Sequence, residues 1–212
     1  DANAWHEKLG GDSEAVIIGH DGGAPSVYGA ALDAPARWLK VVGVAVAPTA
    51  SLGLAFVQNR EQIKRSWYMF FFQHGLADLV VGANNHAFIE MLWRDWSPGY
   101  DASFDLESIR KSLAEPKNLQ AALGYYRATL GDGYRDPQLS ELQNQMSSGV
   151  PSQPMLYLHG ANDGCIGTDV VASAKSMAPA NVKFEVVAAA GHFLQLEQPE
   201  KVNRLICEFL AS

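Results

Sequence analysis

The chain has 212 residues, which is enough for one domain with a buried core, or for such a domain carrying a lid. Apolar residues make up 48% and charged residues 18%, and the net charge of −7 argues against nucleic acid or an anionic membrane as a partner. The longest apolar runs are too short to span a bilayer, and no secretory signal pattern opens the chain. With only Cys165 and Cys207, a reduced cytoplasmic setting is expected, although a single disulfide stays open.

Four short apolar segments predict buried strands, at residues 15–19, 39–47, 154–159 and 182–188. Apolar residues at helical spacing predict helices over the first nine residues and at 25–34, 170–177 and 199–210. Strands that alternate with helices indicate a mostly parallel sheet covered on both faces, and the fold class is therefore α/β.

The middle of the chain has a different pattern. Residues 50–149 show helical spacing broken by turn signals such as S-P-G and G-D-G-Y-R-D-P, and contain no convincing strand. Such a segment is too long for a loop, and it predicts a helical cap inserted into the sheet domain. The predicted organisation is a core of residues 1–49 and 150–212 with a cap of residues 50–149.

A carboxylate marks the end of the first predicted strand. In the stretch V-I-I-G-H-D-G-G-A-P, Asp21 comes where ligands bind in an open α/β sheet. Gly19 and Gly23 permit a sharp turn, because a side chain at either position is expected to collide with its neighbour. The pattern is that of the G-x-S-x-G nucleophile elbow with aspartate in the serine position, which aims the Gly22 N–H at the group attacked. By this motif alone, Asp21 could equally be the N-cap of the next helix.

Two further residues favour catalysis. H-G-A-N-D-G-C puts Asp163 after the third strand, and A-A-A-G-H-F-L-Q puts His192 after the fourth. Each residue taken singly could be an ordinary turn residue. Together they follow the chain order nucleophile, acid, histidine that an α/β-hydrolase requires.

These three motifs together resemble the branch of the α/β-hydrolases that contains epoxide hydrolases and dehalogenases, whose members form an alkyl ester on an aspartate. The resemblance implies Asp21 as nucleophile, Asp163 and His192 as acid and base, and Gly22 as an oxyanion-hole donor. S-W-Y-M-F-F-F-Q and A-L-G-Y-Y-R are similar to the segments that carry the two ring-opening tyrosines of epoxide hydrolases. These correspond to Tyr68 and Tyr126, although Tyr125 could be the inward one and both segments could simply pack as aromatic core.

The chain departs from the family pattern in two places. Gly22 stands where epoxide hydrolases and haloalkane dehalogenases commonly have tryptophan and fluoroacetate dehalogenases have arginine. The family's first strands and its H-G-x-P loop are also missing from this sequence, so the sheet is expected to begin at the elbow strand with an apolar flank uncovered. A segment preceding Asp1 or a second copy of the chain could cover that flank.

The resemblance implies a hydrolase that opens a small apolar epoxide to a vicinal diol with water, using no metal and no organic cofactor. A dehalogenase with the same nucleophile is one alternative, and a truncated homologue without catalysis is another. His20 is expected to pack and to bond to the backbone, and Cys165 to be incidental. The other histidines outside the triad are expected to be structural or solvated, namely His6, His74, His86 and His159. Trp93 and Trp96 either line an apolar pocket of the cap or pack in its core.

Overall fold

A computed structural model of the chain describes residues 1–147 and 149–212. Four strands form one parallel sheet in the order β1-β2-β3-β4. They are β1 at Val16–His20, β2 at Lys40–Val44, β3 at Met155–Gly160 and β4 at Val182–Val187. The predicted α/β fold with a parallel sheet is confirmed, although β2 ends earlier than the sequence pattern indicates.

The helices occupy both sides of the sheet and the long segment between β2 and β3. In chain order they are α1 Ala2–Lys8, α2 Gly23–Asp33, α3 Ser51–Gln58, α4 Arg60–Arg65, α5 Trp67–Phe71, α6 Leu76–Val80, α7 Ala83–Trp96, α8 Ser103–Leu113, α9 Pro116–Leu130, α10 Ser140–Met146, α11 Thr168–Met177, α12 Leu194–Glu197 and α13 Pro199–Ala211. Two short 3-10 turns lie at Pro35–Arg37 and Pro137–Leu139. The helix α2 begins two residues before the predicted one, and α12 was not predicted.

Alternate residues of the central strands pack on opposite layers, as parallel strands buried on both faces require. Val41 and Met155 belong to a core that includes Tyr28 of α2. Val42 and Leu156 belong to a second core, formed with Val202, Leu205 and other residues of the C-terminal helices. The sheet is therefore a rigid platform with its carboxyl ends at one edge.

The strand β1 lies at one end of the described sheet. Its residues Val16 and Ile18 are 39% and 50% exposed, whereas Ile17 is buried. Among the described residues no further strand pairs with β1 on its outer side. The uncovered flank expected from the sequence is thus present in this part of the chain.

Residues 51–146, the inserted helices, contain α3 to α10 and no strand among the residues described. Their core includes Tyr68, Phe72, Trp93 and Leu123. This core continues onto side chains from the loops after β3 and β4, namely Cys165, Ile166 and Phe193. The inserted helices therefore lie over the carboxyl edge of the sheet. None of the described helices combines the length and apolar character needed to cross a bilayer.

Candidate active site

Asp21 lies in a tight turn between β1 and α2. Its φ of 50° is in the left-handed region, which residues other than glycine, asparagine and aspartate rarely adopt. A Cβ atom on Gly19 would lie 2.3 Å from the carbonyl oxygen of Gly23, so only glycine fits there. A Cβ atom on Gly23 would meet nothing within 4 Å, so the expectation of a collision at Gly23 was wrong. The turn depends on one glycine and on the strained aspartate.

The side chain of Asp21 does not cap α2. The N-cap residue of α2 is Gly22, and no side chain bonds to the first helical amides. The Oδ1 atom of Asp21 instead lies 3.5 Å from Nε2 of His192, and the Asp21 side chain is 38% exposed. Asp21 is therefore not the N-cap of α2, and its carboxylate faces the His192 imidazole.

His192 lies between two carboxylates. Its Nδ1 atom is 3.0 Å from Oδ2 of Asp163, and both side chains are buried. Nε2 has no hydrogen-bond partner among the described residues and faces Asp21. Parallel strands bring the carboxyl ends of β1, β3 and β4 to one edge of the sheet, and so the three predicted residues meet.

The loop that carries Asp163 is fixed by its own hydrogen bonds. Oδ1 of Asp163 accepts from the backbone N–H groups of Cys165 and Ile166, at 2.7 and 2.9 Å. The buried ring of His159 bonds to the Ile166 carbonyl and to the Tyr157 hydroxyl. One carboxylate oxygen is therefore held by the backbone while the other is available to His192.

The charges of the site favour an ionised Asp21 beside a protonated His192. Burial alone would lower the pKa of His192, but the charge and hydrogen bond of Asp163 and the charge of Asp21 outweigh it and raise the pKa to about 10. Burial alone would raise the pKa of Asp21, but the adjacent positive charge of His192, helped by the Gly22 N–H, lowers it to about 2. Asp21 is thus ionised at neutral pH, and its charge helps to keep His192 protonated.

The two predicted tyrosines lie together on the inserted helices. The rings of Tyr68 and Tyr126 are 5.9 Å apart in an edge-to-face arrangement. Tyr125 is 78% exposed and points away, so Tyr126 is the inward residue. Burial raises the pKa of both inward phenols, and the negative charge of Asp21 raises it further. Both hydroxyls therefore stay protonated at neutral pH.

Sequence reasoning gave no site role to two neighbours of the site, Cys165 and Phe193, and left Trp96 open between pocket lining and cap core. The Sγ atom of Cys165 lies 3.4 Å from the Tyr68 hydroxyl, so this cysteine contacts one of the two predicted tyrosines. The Trp96 ring packs 5.0 Å from Tyr68 and 5.3 Å from His192, between the tyrosines and the imidazole. Phe193 stacks on Trp93 at 3.7 Å. Proximity to the predicted catalytic motifs along the chain was a usable signal for Cys165 and Phe193.

Asp163, Cys165 and His192 also bring atoms of metal-binding type within 4.8 Å of one another. Burial raises the pKa of the Cys165 thiol, which disfavours the thiolate that a metal requires. Nδ1 of His192 is already bonded to Asp163. The donor set fits a hydrogen-bonded acid and histidine better than a metal centre.

His20 precedes Asp21 and has a supporting position. Its Nε2 atom lies 2.9 Å from the carbonyl oxygen of His192, and burial lowers its pKa. A neutral ring protonated at Nε2 donates this bond. The contact joins the end of β1 to the histidine loop, in agreement with the packing role expected for His20.

A strand-turn-helix nucleophile, an acid and a histidine at the carboxyl edge of a parallel sheet define an α/β-hydrolase. The chain matches the alpha/beta hydrolase family over residues 1–205 and belongs to it. Among curated relatives, epoxide hydrolase 1 of Caenorhabditis elegans is 24% identical over 96% of this chain and 49% of its own length. Epoxide hydrolase 4 of Homo sapiens is 24% identical over 94% of this chain and 54% of its own length. The chain spans about half the length of these relatives.

Solved structures show the same fold. A Klebsiella pneumoniae protein provisionally assigned as an epoxide hydrolase superposes on this chain with a TM-score of 0.83 and 20% identity. The match covers 100% of this chain and 71% of that protein. A variant of an epoxide hydrolase from Bacillus megaterium also covers 100% of this chain, with a TM-score of 0.78 and 21% identity, over 74% of its own chain.

Proposed function

We propose that this protein hydrolyses epoxides to vicinal diols through a covalent ester on Asp21. The observation that carries the proposal is the line of Asp21, His192 and Asp163, with 3.5 Å and 3.0 Å between the facing atoms. An aspartate at the elbow attacks carbon and forms an alkyl ester, whereas a serine would form an acyl-enzyme. The curated relatives named above are epoxide hydrolases, which supports the same chemistry here.

In the first step, the Asp21 carboxylate attacks one epoxide carbon and the bond from that carbon to the ring oxygen breaks. The leaving oxygen needs a proton, and we propose that Tyr68 and Tyr126 supply it. Their protonated hydroxyls, on a buried Tyr68 and a partly buried Tyr126, and the effect of the Asp21 charge on both phenols support this role. The product of this step is a hydroxyalkyl ester of Asp21.

The second step uses His192 as a base towards water. Formation of the ester removes the Asp21 charge, which is one of the causes of the raised His192 pKa. The imidazole therefore becomes easier to deprotonate once the ester exists, and its proton returns to the phenolate that the first step left on Tyr68 or Tyr126. Asp163 keeps the neutral ring oriented. Water activated by His192 attacks the ester carbonyl, and the Gly22 N–H stabilises the resulting oxyanion. The diol leaves and the carboxylate is restored.

We also propose that the inserted helices, within the predicted boundaries 50–149, act as a cap that supplies the proton donors and excludes water. Trp96, Phe193 and Trp93 surround the histidine with aromatic surface and favour an apolar substrate. A Bacillus megaterium epoxide hydrolase variant of the same fold was solved with a naphthyloxypropanediol product, which agrees with an aryl-substituted epoxide as the first compound to test.

The decisive experiment is a single turnover of excess protein with styrene oxide in water labelled with oxygen-18. Because water attacks the ester carbonyl, the label should enter the Asp21 side chain and the first diol should be unlabelled. Label in the diol alone would indicate direct attack of water and contradict the proposal. Release of halide from haloalkanes or haloacetate without epoxide turnover would favour the dehalogenase alternative, and no turnover of either class would favour a homologue without catalysis.

A further inference from the structure

The end of α7 is joined to the histidine loop by backbone contacts. The Trp96 carbonyl oxygen accepts from the His192 N–H at 3.1 Å and from the Gly164 N–H at 3.0 Å. One atom of the inserted helices thus anchors both the loop that carries the base and the loop that carries Asp163. A shift of residue 96 would change the positions of both loops.

Ser97 adds a side-chain contact to this junction. Its hydroxyl accepts from the Phe193 N–H at 3.1 Å and donates to Oε1 of Glu197 at 2.7 Å. The other oxygen of Glu197 accepts from the Gly191 N–H at 2.8 Å. Ser97 is only 1% exposed, so loss of its oxygen would leave the Phe193 amide without a partner in a dry environment.

The three consecutive amides of the histidine loop are therefore all bonded at one junction. Gly191 bonds to Glu197, His192 to Trp96 and Phe193 to Ser97. Hydrogen bonds on both sides of His192 fix the backbone that carries its imidazole. Such a fixed backbone is what a base needs if it is to stay within reach of two partners.

Glycines allow this close approach. A Cβ atom on Gly191 would lie 2.7 Å from the Trp96 oxygen, and one on Gly164 would lie 1.9 Å from the Asp95 oxygen. Both catalytic loops thus contact the backbone at the end of α7 where they lack a side chain. The two loops and the helix end form one packed unit.

We propose that Ser97 and Glu197 are positioning residues, which hold the His192 loop against the end of α7 and so keep the imidazole in line between Asp163 and Asp21. Neither residue contacts the reacting atoms, and both act through the backbone of residues 191–193. The kinetic consequence rests on the proposed function, in which His192 serves ester hydrolysis but not ester formation.

The kinetic test compares Ser97→Ala and Glu197→Leu with the unaltered protein by rapid quench and mass spectrometry of the Asp21 peptide. We expect ester formation to be unchanged and ester hydrolysis to slow by about 10- to 100-fold, the effect of a misplacement of about 1 Å. The styrene oxide ester should therefore accumulate. An equal loss in both steps would indicate a merely structural role and overturn the proposal.

Glu197→Gln is the conservative variant, since an amide can accept from Gly191 and donate to Ser97. It should retain most of the hydrolysis rate, and a loss as large as that of Glu197→Leu would contradict the hydrogen-bond account. Matched controls are Ser108→Ala and Glu200→Gln, at exposed positions of α8 and α13. Both should behave as the unaltered protein.

Amide hydrogen exchange tests the junction without any substrate. In Ser97→Ala the amides of residues 191–193 should lose protection, while the amide of Leu156 in β3 keeps it. Unchanged protection at 191–193, or a uniform loss throughout the sheet, would overturn the proposal. If the unaltered protein forms neither ester nor diol, the proposed function fails, and this exchange experiment alone still decides whether the junction positions the loop.

Discussion

Nε2 of His192 lies 3.5 Å from Oδ1 of Asp21, so the proposed base lies beside the proposed nucleophile. The two groups depend on each other electrostatically, because the imidazole lowers the pKa of the carboxyl and the carboxylate raises that of the imidazole. In the proposed cycle this coupling determines at which step His192 can act as a base. His192 stays protonated while Asp21 is a free nucleophile, and becomes a base when Asp21 is esterified.

The coupling predicts how His192 titrates. In Asp21→Asn the pKa of His192 should fall, because one of the two carboxylates that raise it is gone. Asparagine tolerates a positive φ, so the elbow should survive. NMR titration of the His192 ring protons measures the midpoint, and the exposed Asp132→Asn is the matched control. An unchanged midpoint in Asp21→Asn would refute the coupling.

Stability should follow the same charges. The pKa of His192 in the folded protein, about 10, lies above its ordinary value of 6.5. Its contribution to the free energy of unfolding is therefore fully present below pH 6.5 and is lost as the pH rises through 10. Urea denaturation from pH 6 to 10 should show a steeper loss of stability in the unaltered protein than in Asp21→Asn. Parallel curves would show that Asp21 does not contribute to the raised pKa of His192.

The tyrosine assignment separates three neighbouring hydroxyls. Tyr68→Phe and Tyr126→Phe should each slow ester formation by about 10²-fold, the low end of what a positioned proton donor contributes. Ester hydrolysis should be unaffected, since His192 and Gly22 serve that step. Tyr125→Phe is the control, because Tyr125 is 78% exposed. Stopped-flow measurement of both steps checks this, and a loss in Tyr125→Phe alone would reverse the assignment.

The elbow offers a matched pair of glycine substitutions. Gly19→Ala puts a methyl group 2.3 Å from the Gly23 carbonyl oxygen and should destabilise the protein by about 1–3 kcal/mol. Gly23→Ala meets nothing within 4 Å and should leave stability unchanged or slightly raise it. Urea denaturation gives the free energies of unfolding. Equal effects at the two positions would show that the turn is built differently.

The two cysteines should differ sharply in reactivity. Cys165 is 3% exposed and burial raises the pKa of its thiol, whereas Cys207 is exposed on α13. In the folded protein a chromogenic disulfide reagent should titrate one thiol rapidly, and the second only after unfolding. Cys207→Ser should remove the rapid reaction. A rapid reaction that persists in Cys207→Ser would place Cys165 in open contact with solvent.

The sequence predicted the sheet and the three residues at its edge for the same physical reason. Continuous β-branched runs in alternation with helices leave a parallel sheet as the simplest fold, and a parallel sheet collects its carboxyl ends at one edge. Asp21, Asp163 and His192 each follow such a run, so their convergence could be expected before any coordinates.

Contacts made by the inserted helices could not be predicted in this way. Cys165 lies 97 residues from its partner Tyr68, and Ser97 lies 100 residues from Glu197. Such pairs depend on how the inserted helices pack on the sheet. The apolar periodicity of the sequence does not specify this packing. The same limit left Tyr125 and Tyr126 open, because neighbouring helical residues differ only in which side the tertiary packing selects.

The most direct measurement of the central claim is intact and peptide mass spectrometry of folded His192→Ala after exposure to styrene oxide. With the base removed and the nucleophile retained, Asp21 should carry one hydroxyalkyl ester that persists, whereas the unaltered protein releases diol. No adduct on Asp21 in the folded variant, or an adduct on another side chain alone, would contradict the account.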